Sequence, residues 1–110
     1  PAPDGRIGHA ELQIGTSKVM LADEHPEIGA LSPQTVGGAA VMMHMYVADV
    51  DQVVAKALAA GAKLTRPVRD QFYGDRSGGV EDPWGHQWHI STHIEDVSEE
   101  EMMRRMKEQA

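Results

Sequence analysis

The sequence predicts an α+β fold: one β-α-β-β-β module with a helix against its sheet, preceded by a β-hairpin. Three observations predict it. Apolar and polar residues alternate with period two over 9–14, 41–47 and 86–92, as half-buried strands require. Val50, Val53, Val54, Ala57 and Leu58 repeat at helical spacing between Asp49 and Gly61. A chain of 110 residues has room for one domain.

Taken in order, Pro1-Ala2-Pro3-Asp4-Gly5 reads as a turn already inside a fold, so residues upstream of this numbering are expected. His9, Glu11 and Gln13 alternate with Ala10, Leu12 and Ile14, which makes a strand. Gly15-Thr16-Ser17 turns, and Lys18–Ala22 returns as the second strand of a hairpin. Pro26, Pro33, Gly29, Gly37 and Gly38 mark residues 23–40 as a long connection. Val41–Val47 is a strand with Val41, Met43, Met45 and Val47 on one face and Met42, His44 and Tyr46 on the other. Asp49 is an N-cap with Gln52 as its capping-box partner, and Gly61 suits a left-handed C-cap, so a helix spans about 50–60. Ala62–Val68 is a short strand in which Pro67 marks an edge or the strand's end, and Gly74–Asp82 is another. Asp82-Pro83-Trp84-Gly85 forms a type I turn into His86–Thr92, where Trp88 and Ile90 oppose Gln87, His89 and Ser91. Ser98 and Glu101 open a last helix that runs to about Gln109.

Composition narrows the function. Lys+Arg is 10 against Asp+Glu 17, a net charge of −7, which lacks the basic footprint of a nucleic-acid or anionic-membrane binder. There is no cysteine, so thiol nucleophiles, disulfides and Cys-ligated zinc are excluded, and a reducing, cytoplasmic setting fits. No apolar run reaches the roughly 20 residues of a membrane helix, and no signal peptide opens the chain.

The apolar strand faces have an obvious partner in the Val53/Val54/Ala57/Leu58 stripe. The opposite faces collect His9, Glu11, Gln13, Lys18, Met20, Met42, His44, Tyr46, Gln87, His89 and Ser91. Histidine, tyrosine and methionine at this density point to a pocket rather than a plain solvated face.

The run from Val41–Val47 into Asp49-Val50-Asp51, the helix ending Ala59-Ala60-Gly61-Ala62, and Val80-Glu81-Asp82-Pro83-Trp84-Gly85-His86 before the last strand together resemble the vicinal oxygen chelate superfamily. That superfamily includes glyoxalase I, bleomycin-resistance proteins and extradiol dioxygenases. Asp70-Gln71-Phe72-Tyr73-Gly74-Asp75-Arg76 is similar to stretches of its bacterial glyoxalase-like proteins of undefined activity, and the resemblance covers nearly all of 7–110. It implies paired βαβββ modules whose curled mixed sheet surrounds a central cup, with helices on its outer face. On that reading 1–110 is a single glyoxalase-like domain. The hairpin 1–22 is the remnant of an incomplete first module, 23–40 the connection, 41–92 the second module and 93–110 a C-terminal helix.

The resemblance also implies positions for a divalent metal, with ligands falling at Met20, Met42 and His89 and a fourth on a strand this chain does not carry. Two thioethers do not suit a hard divalent ion, so no metal and no cofactor is expected. His44 beside His89 is the place where a divalent metal would bind if one did. The residues expected to bind substrate are His44, Tyr46, His89, Met42, Met20, Glu11 and Gln13. Glu11 is also considered as a base for proton abstraction. Set against these are plainer roles: His44 and His89 as hydrogen-bonded residues on a half-wet sheet, Met20 and Met42 as packing, and Glu11 with His9 paired to Lys18. In the same spirit Asp75 and Arg76 form a structural ion pair, Trp84 stands at a rim, Trp88 packs, and Met102, Met103 and Met106 are core or dimer contacts. The expected function is binding of a small organic molecule in the cup, with lyase or isomerase chemistry. The alternatives are a non-catalytic, drug- or metabolite-sequestering protein of the bleomycin-resistance type, and a vestigial pocket serving assembly. The expected partners are that small molecule and a second copy in a homodimer, with no nucleic acid and no membrane.

Overall fold

The computed structural model describes residues 4–109, so Pro1, Ala2 and Pro3 of the expected opening turn lie outside the described residues. In chain order the elements are β1 (Ala10–Ile14), β2 (Ser17–Leu21), a 3-10 turn (Pro26–Ile28), α1 (Pro33–Val36) and β3 (Met42–Tyr46). They continue as α2 (Val50–Ala59), β4 (Lys63–Asp70), β5 (Asp75–Glu81), β6 (Gln87–His93) and α3 (Glu99–Gln109). The β-α-β-β-β order expected for the second half is the one observed.

β3 to β6 make one mixed sheet in the order β3-β6-β5-β4. β3 runs parallel to β6, while β5 is antiparallel to both β6 and β4. The connection that carries the chain from β3 to the far edge is α2. Its N-cap is Asp49, whose carboxylate accepts from the Gln52 amide at 3.2 Å. Gly61 follows the helix with φ 109, a conformation only glycine adopts without strain. The tight link from β5 to β6 is built by Asp82. Its backbone oxygen accepts from Gly85 N at 3.0 Å. Its carboxylate takes the Trp84 and His86 amides at 3.0 Å each and the Trp88 indole at 3.1 Å.

The core lies on the α2 side of this sheet. Val50, Val54, Val80 and Ile90 are buried, with Met45, Val47, Val53, Ala57, Ala62, Val68 and Trp88 packed around them. Leu58, expected in the same stripe, is 38% exposed in the last turn of α2.

Four expectations need correction. Residues 23–40 are not bare connection: Pro26 and Pro33 each start a short helical turn, with the Ser32 hydroxyl capping α1. The hairpin does not continue the main sheet, because β1 and β2 pair only with each other, from Ala10↔Leu21 to Ile14↔Ser17. Asp75 and Arg76 do not pair, since successive strand residues face opposite sides. Arg76 binds Asp51 and Asp70, at 2.8 and 3.0 Å. Finally, Met103 and Met106 on α3 are more than half exposed, so of the two roles expected for them they do not fill the core. That helix docks instead through Arg105, which donates to the Phe72 carbonyl at 3.0 Å and to Glu95 at 2.6 Å. The Ser98 cap accepts from the Glu101 amide at 3.2 Å as expected, but the Glu101 carboxylate turns to Arg104 and Arg105, which pull it down to about 2.

Candidate functional site

Alternation puts every second residue of β3, β5 and β6 on the sheet face opposite α2, and the register decides which of them meet. His44 stands beside His89 and Tyr46 beside Ser91 across the parallel pair. Gly79 and Ser77 of β5 oppose His89 and Ser91, and Asp75 opposes His93. The His44 and His89 rings meet edge to face at 4.7 Å, and His44 and Tyr46 lie 4.9 Å apart with their planes tilted 32°. His44 Nε2 is 3.0 Å from the hydroxyl of fully buried Ser91.

Two charged groups frame these rings. At one end, Asp75 is 4% exposed, accepts from the Tyr46 hydroxyl at 2.7 Å and lies 3.1 Å from His93 Nδ1. The hydrogen bond to Asp75 foremost, then burial, pushes the Tyr46 phenol up, so Tyr46 stays protonated and donating. At the other end, Arg66 reaches from edge strand β4 across β5. Its Nη2 lies 2.9 Å from His89 Nδ1 and 3.3 Å from Met42 Sδ. Burial foremost, then Arg66 and His44, hold His89 below the usual imidazole range, which keeps it neutral. With Nδ1 accepting from Arg66, the ring proton resides on Nε2. Gln87 donates to Glu81 at 2.6 Å at the margin of the same face.

Of the residues expected in the site, His44, Tyr46, His89 and Met42 are thus brought together. Glu11, Gln13 and Met20 are not. They lie on the separate hairpin, where Glu11 is 3.1 Å from His9 and 3.9 Å from Lys18, the pairing the sequence suggested. Gln13 donates to the Gly15 carbonyl at 3.2 Å, and Met20 is 67% exposed. The turn end of the hairpin borders β3 across a cleft of about 460 Å³ lined by Ile14, Val19, Met43, His44, Tyr46 and Trp88. A second, apolar hollow of about 320 Å³ opens on the α2 side, with Trp84, 63% exposed, at its lip.

Sequence reasoning missed Arg66 and the part played by Asp75. The Gly78-Gly79 pair inside β5 was the available signal, since bare strand positions mark close approach by another group. A Cβ on Gly79 would stand 3.0 Å from Arg66 Nε.

The positions that correspond to metal ligands hold two thioethers and an imidazole whose Nδ1 receives a guanidinium. Among the described residues no group of three or more His, Asp or Glu side chains is placed to hold an ion. A cation at Arg66 and soft thioether donors do not fit a hard divalent metal.

The sequence model of the Glyoxalase/Bleomycin resistance protein/Dioxygenase superfamily matches residues 1–90. An uncharacterized protein of Mycobacterium bovis is 38% identical over 112 residues, covering 99% of this chain and 74% of its own length. An uncharacterized protein of Mycobacterium tuberculosis is also 38% identical over 112 residues, with 99% and 66% covered. The chain therefore spans 66% to 74% of the length of these relatives. Among solved structures, TioX from Micromonospora sp. ML1 is 31% identical with a TM-score of 0.62, over 86% of this chain and 74% of that one. A glyoxalase/bleomycin resistance protein/dioxygenase family enzyme from Burkholderia phytofirmans PsJN is 18% identical with a TM-score of 0.58, over 79% and 81%. At that identity the likeness is one of fold.

Proposed function

The chain belongs to the glyoxalase/bleomycin resistance protein/dioxygenase superfamily, and from that premise we propose that it binds a small organic molecule on the sheet face bearing His44, Tyr46 and His89. One observation carries the reading: two imidazoles, a phenol and a guanidinium converge on a face that the core does not use. His44 and Tyr46 also line the adjoining cleft, and Met42 adds adaptable apolar contact. Binding takes place without a metal, for the donor set already described.

A lyase or isomerase needs a group that takes a proton from the ligand. Asp75 is a poor choice, since Tyr46 and His93 occupy its two oxygens. That leaves the imidazoles of His44 and His89 as the bases a lyase or isomerase would use, and the second reading is a non-catalytic protein that sequesters a drug or metabolite. We place this activity in a reducing, cytoplasmic setting and in a homodimer. Met103 and Met106 of α3, more than half exposed, offer a second copy apolar surface, and light scattering showing a monomer at micromolar concentration would overturn the dimer.

The binding reading is tested on His44→Ala and His89→Ala, with ligands drawn from a fragment library and thermal midpoint measured on the same samples. Each substitution should weaken binding by about 1–3 kcal/mol while changing stability less. Lost stability with unchanged affinity would make the two histidines structural.

A further inference from the structure

The best unexplained feature of the face is the state of Arg66. Four of the chain's arginines, Arg6, Arg76, Arg104 and Arg105, are held by carboxylates. Among the described residues Arg66 and Arg69 meet none within ion-pair distance, in a chain with 17 acidic residues, and of the two it is Arg66 that reaches the face of His89. Its position is nevertheless built. The β4–β5 register slips on both sides of it, between Leu64 and Arg66 and again between Arg66 and Arg69. Such irregularities re-aim a strand's side chains. Opposite it stands Gly79, and the guanidinium lies against that bare backbone. From there Nη2 spends its hydrogen bonds on a neutral imidazole and a thioether, neither of which brings the charge a carboxylate would.

Around this cation the face offers further donors and few acceptors. Arg66 Nε and Nη1 make no hydrogen bond among the described residues. Beneath, the buried Ser77 hydroxyl lacks any partner. The nearby carboxylates are already engaged: Glu81 by Gln87, and Asp75 by Tyr46 and His93. Next to the donors lie the Met42 side chain and the rings of His44 and Tyr46, apolar or aromatic surfaces half exposed to solvent.

We propose that Arg66 is the specificity-determining group of this site. It selects small molecules that carry a carboxylate or another oxyanion next to an aromatic or apolar body. The proposal rests on the binding reading above and narrows it. Arg66 receives the anion in the charge-assisted, two-pronged way that a guanidinium favours, and His44, Tyr46 and Met42 hold the body. Neutral analogues of the same shape lose the charge-assisted bonds and leave the guanidinium as it is now.

The probes are phenylacetate, phenylphosphonate and the neutral isostere phenylacetamide. Each is titrated into the full chain while the imidazole resonances of His44 and His89 and the Arg66 Nε–H are followed by NMR. The expected result is saturable binding of at least one anion, about tenfold or more tighter than the amide and weakening with added salt. Comparing the two anions distinguishes a carboxylate site from a phosphonate or phosphate site. In Arg66→Gln the preference for the anion should vanish while the amide's weak affinity stays, and Arg66→Lys should keep part of the preference. Equal affinity for anion and amide, or a preference that survives Arg66→Gln, would overturn the anion assignment and leave the binding reading standing. If no probe moves the His44 and His89 resonances at any concentration, both fail. The salt dependence on the unaltered chain keeps the test decisive if Arg66→Gln does not fold.

Discussion

Gly74→Ala puts the fold's closure around the site to a quantitative test. Gly74 has φ 98, and a Cβ there would stand 2.3 Å from the Glu95 carbonyl oxygen and 2.9 Å from Val97 Cγ2. The left-handed backbone alone costs a residue with a side chain about 1–2 kcal/mol. The clash is with backbone, so the segment leading to α3 must retreat. The two bonds that the Gly74 carbonyl accepts, from Ile94 N at 2.9 Å and Glu95 N at 3.1 Å, are then lost or stretched. At about 1 kcal/mol each, the total comes to about 3–4 kcal/mol, a large share of the 5–15 kcal/mol that holds a typical domain. Gly37→Ala is the control for strain alone: φ is 90 but nothing lies within 4 Å of the added carbon, so about 1–2 kcal/mol is expected. Gly79→Ala is the control for a side-chain clash, because its Cβ would meet only Thr65 Oγ1 and the Arg66 guanidinium, at 2.8 and 3.0 Å. It should change stability by no more than about 1 kcal/mol. Urea midpoints at unchanged slope give the three differences. If Gly74→Ala loses no more than Gly37→Ala, the contact with Glu95 has no energetic weight and the reasoning fails.

Asp82→Ala should cost about 2 kcal/mol, because one carboxylate serves the Trp84 and His86 amides and the Trp88 indole; chemical denaturation followed by tryptophan fluorescence measures it, and an unchanged midpoint would contradict it. Two histidines should give stability–pH differences of opposite sign. The carboxylates of Asp96 and then Asp75 raise His93, so its contribution is complete below the ordinary imidazole value of about 6.5 and is lost as pH rises through the raised one. His93→Gln should therefore lose most against the unaltered chain near pH 5 and converge with it in mildly alkaline solution. His89 is lowered, so protonation costs the folded state as pH falls below the ordinary value, and His89→Gln should relieve that acid-side loss. Thermal midpoints across pH 5 to 8 that shift both variants alike would refute these assignments.

The face that gathers His44, Tyr46 and His89 was legible because β3 and β6 keep an unbroken register. Counting by twos from Met42 and from Gln87 therefore lands on the correct side at every step. α2 was legible within a residue, since a cap and an apolar stripe point to the same span. Arg66 was not legible. Pro67 and two register slips break the count along β4, so parity no longer tells which side a residue faces. The 3-10 turn and α1 were hidden by the prolines that start them, which read as breakers when no periodic pattern follows. The hairpin's separation from the main sheet has no local signature either, because any alternating strand can pair at any free edge.

Stability and recognition are divided along the same strands by the period of the pleat. On β6, Trp88 and Ile90 pack with Val50, Val54 and Val80, while the intervening His89 and Ser91 face the other way. The floor of the recognition face is made of small residues, Gly79, Ser77 and Ser91, all buried beneath longer groups. Apart from His89 on β6, those longer groups come from the two edge strands, Arg66 from β4 and Met42, His44 and Tyr46 from β3. A small floor gives the edges room to fold inward, and edge side chains can be exchanged without opening the core behind them. Substitutions at Arg66, Met42 or His44 should therefore change which molecule is held at little cost in stability. The same replacements on the other face, at Met45 or Ile90, would remove packing from the α2 side.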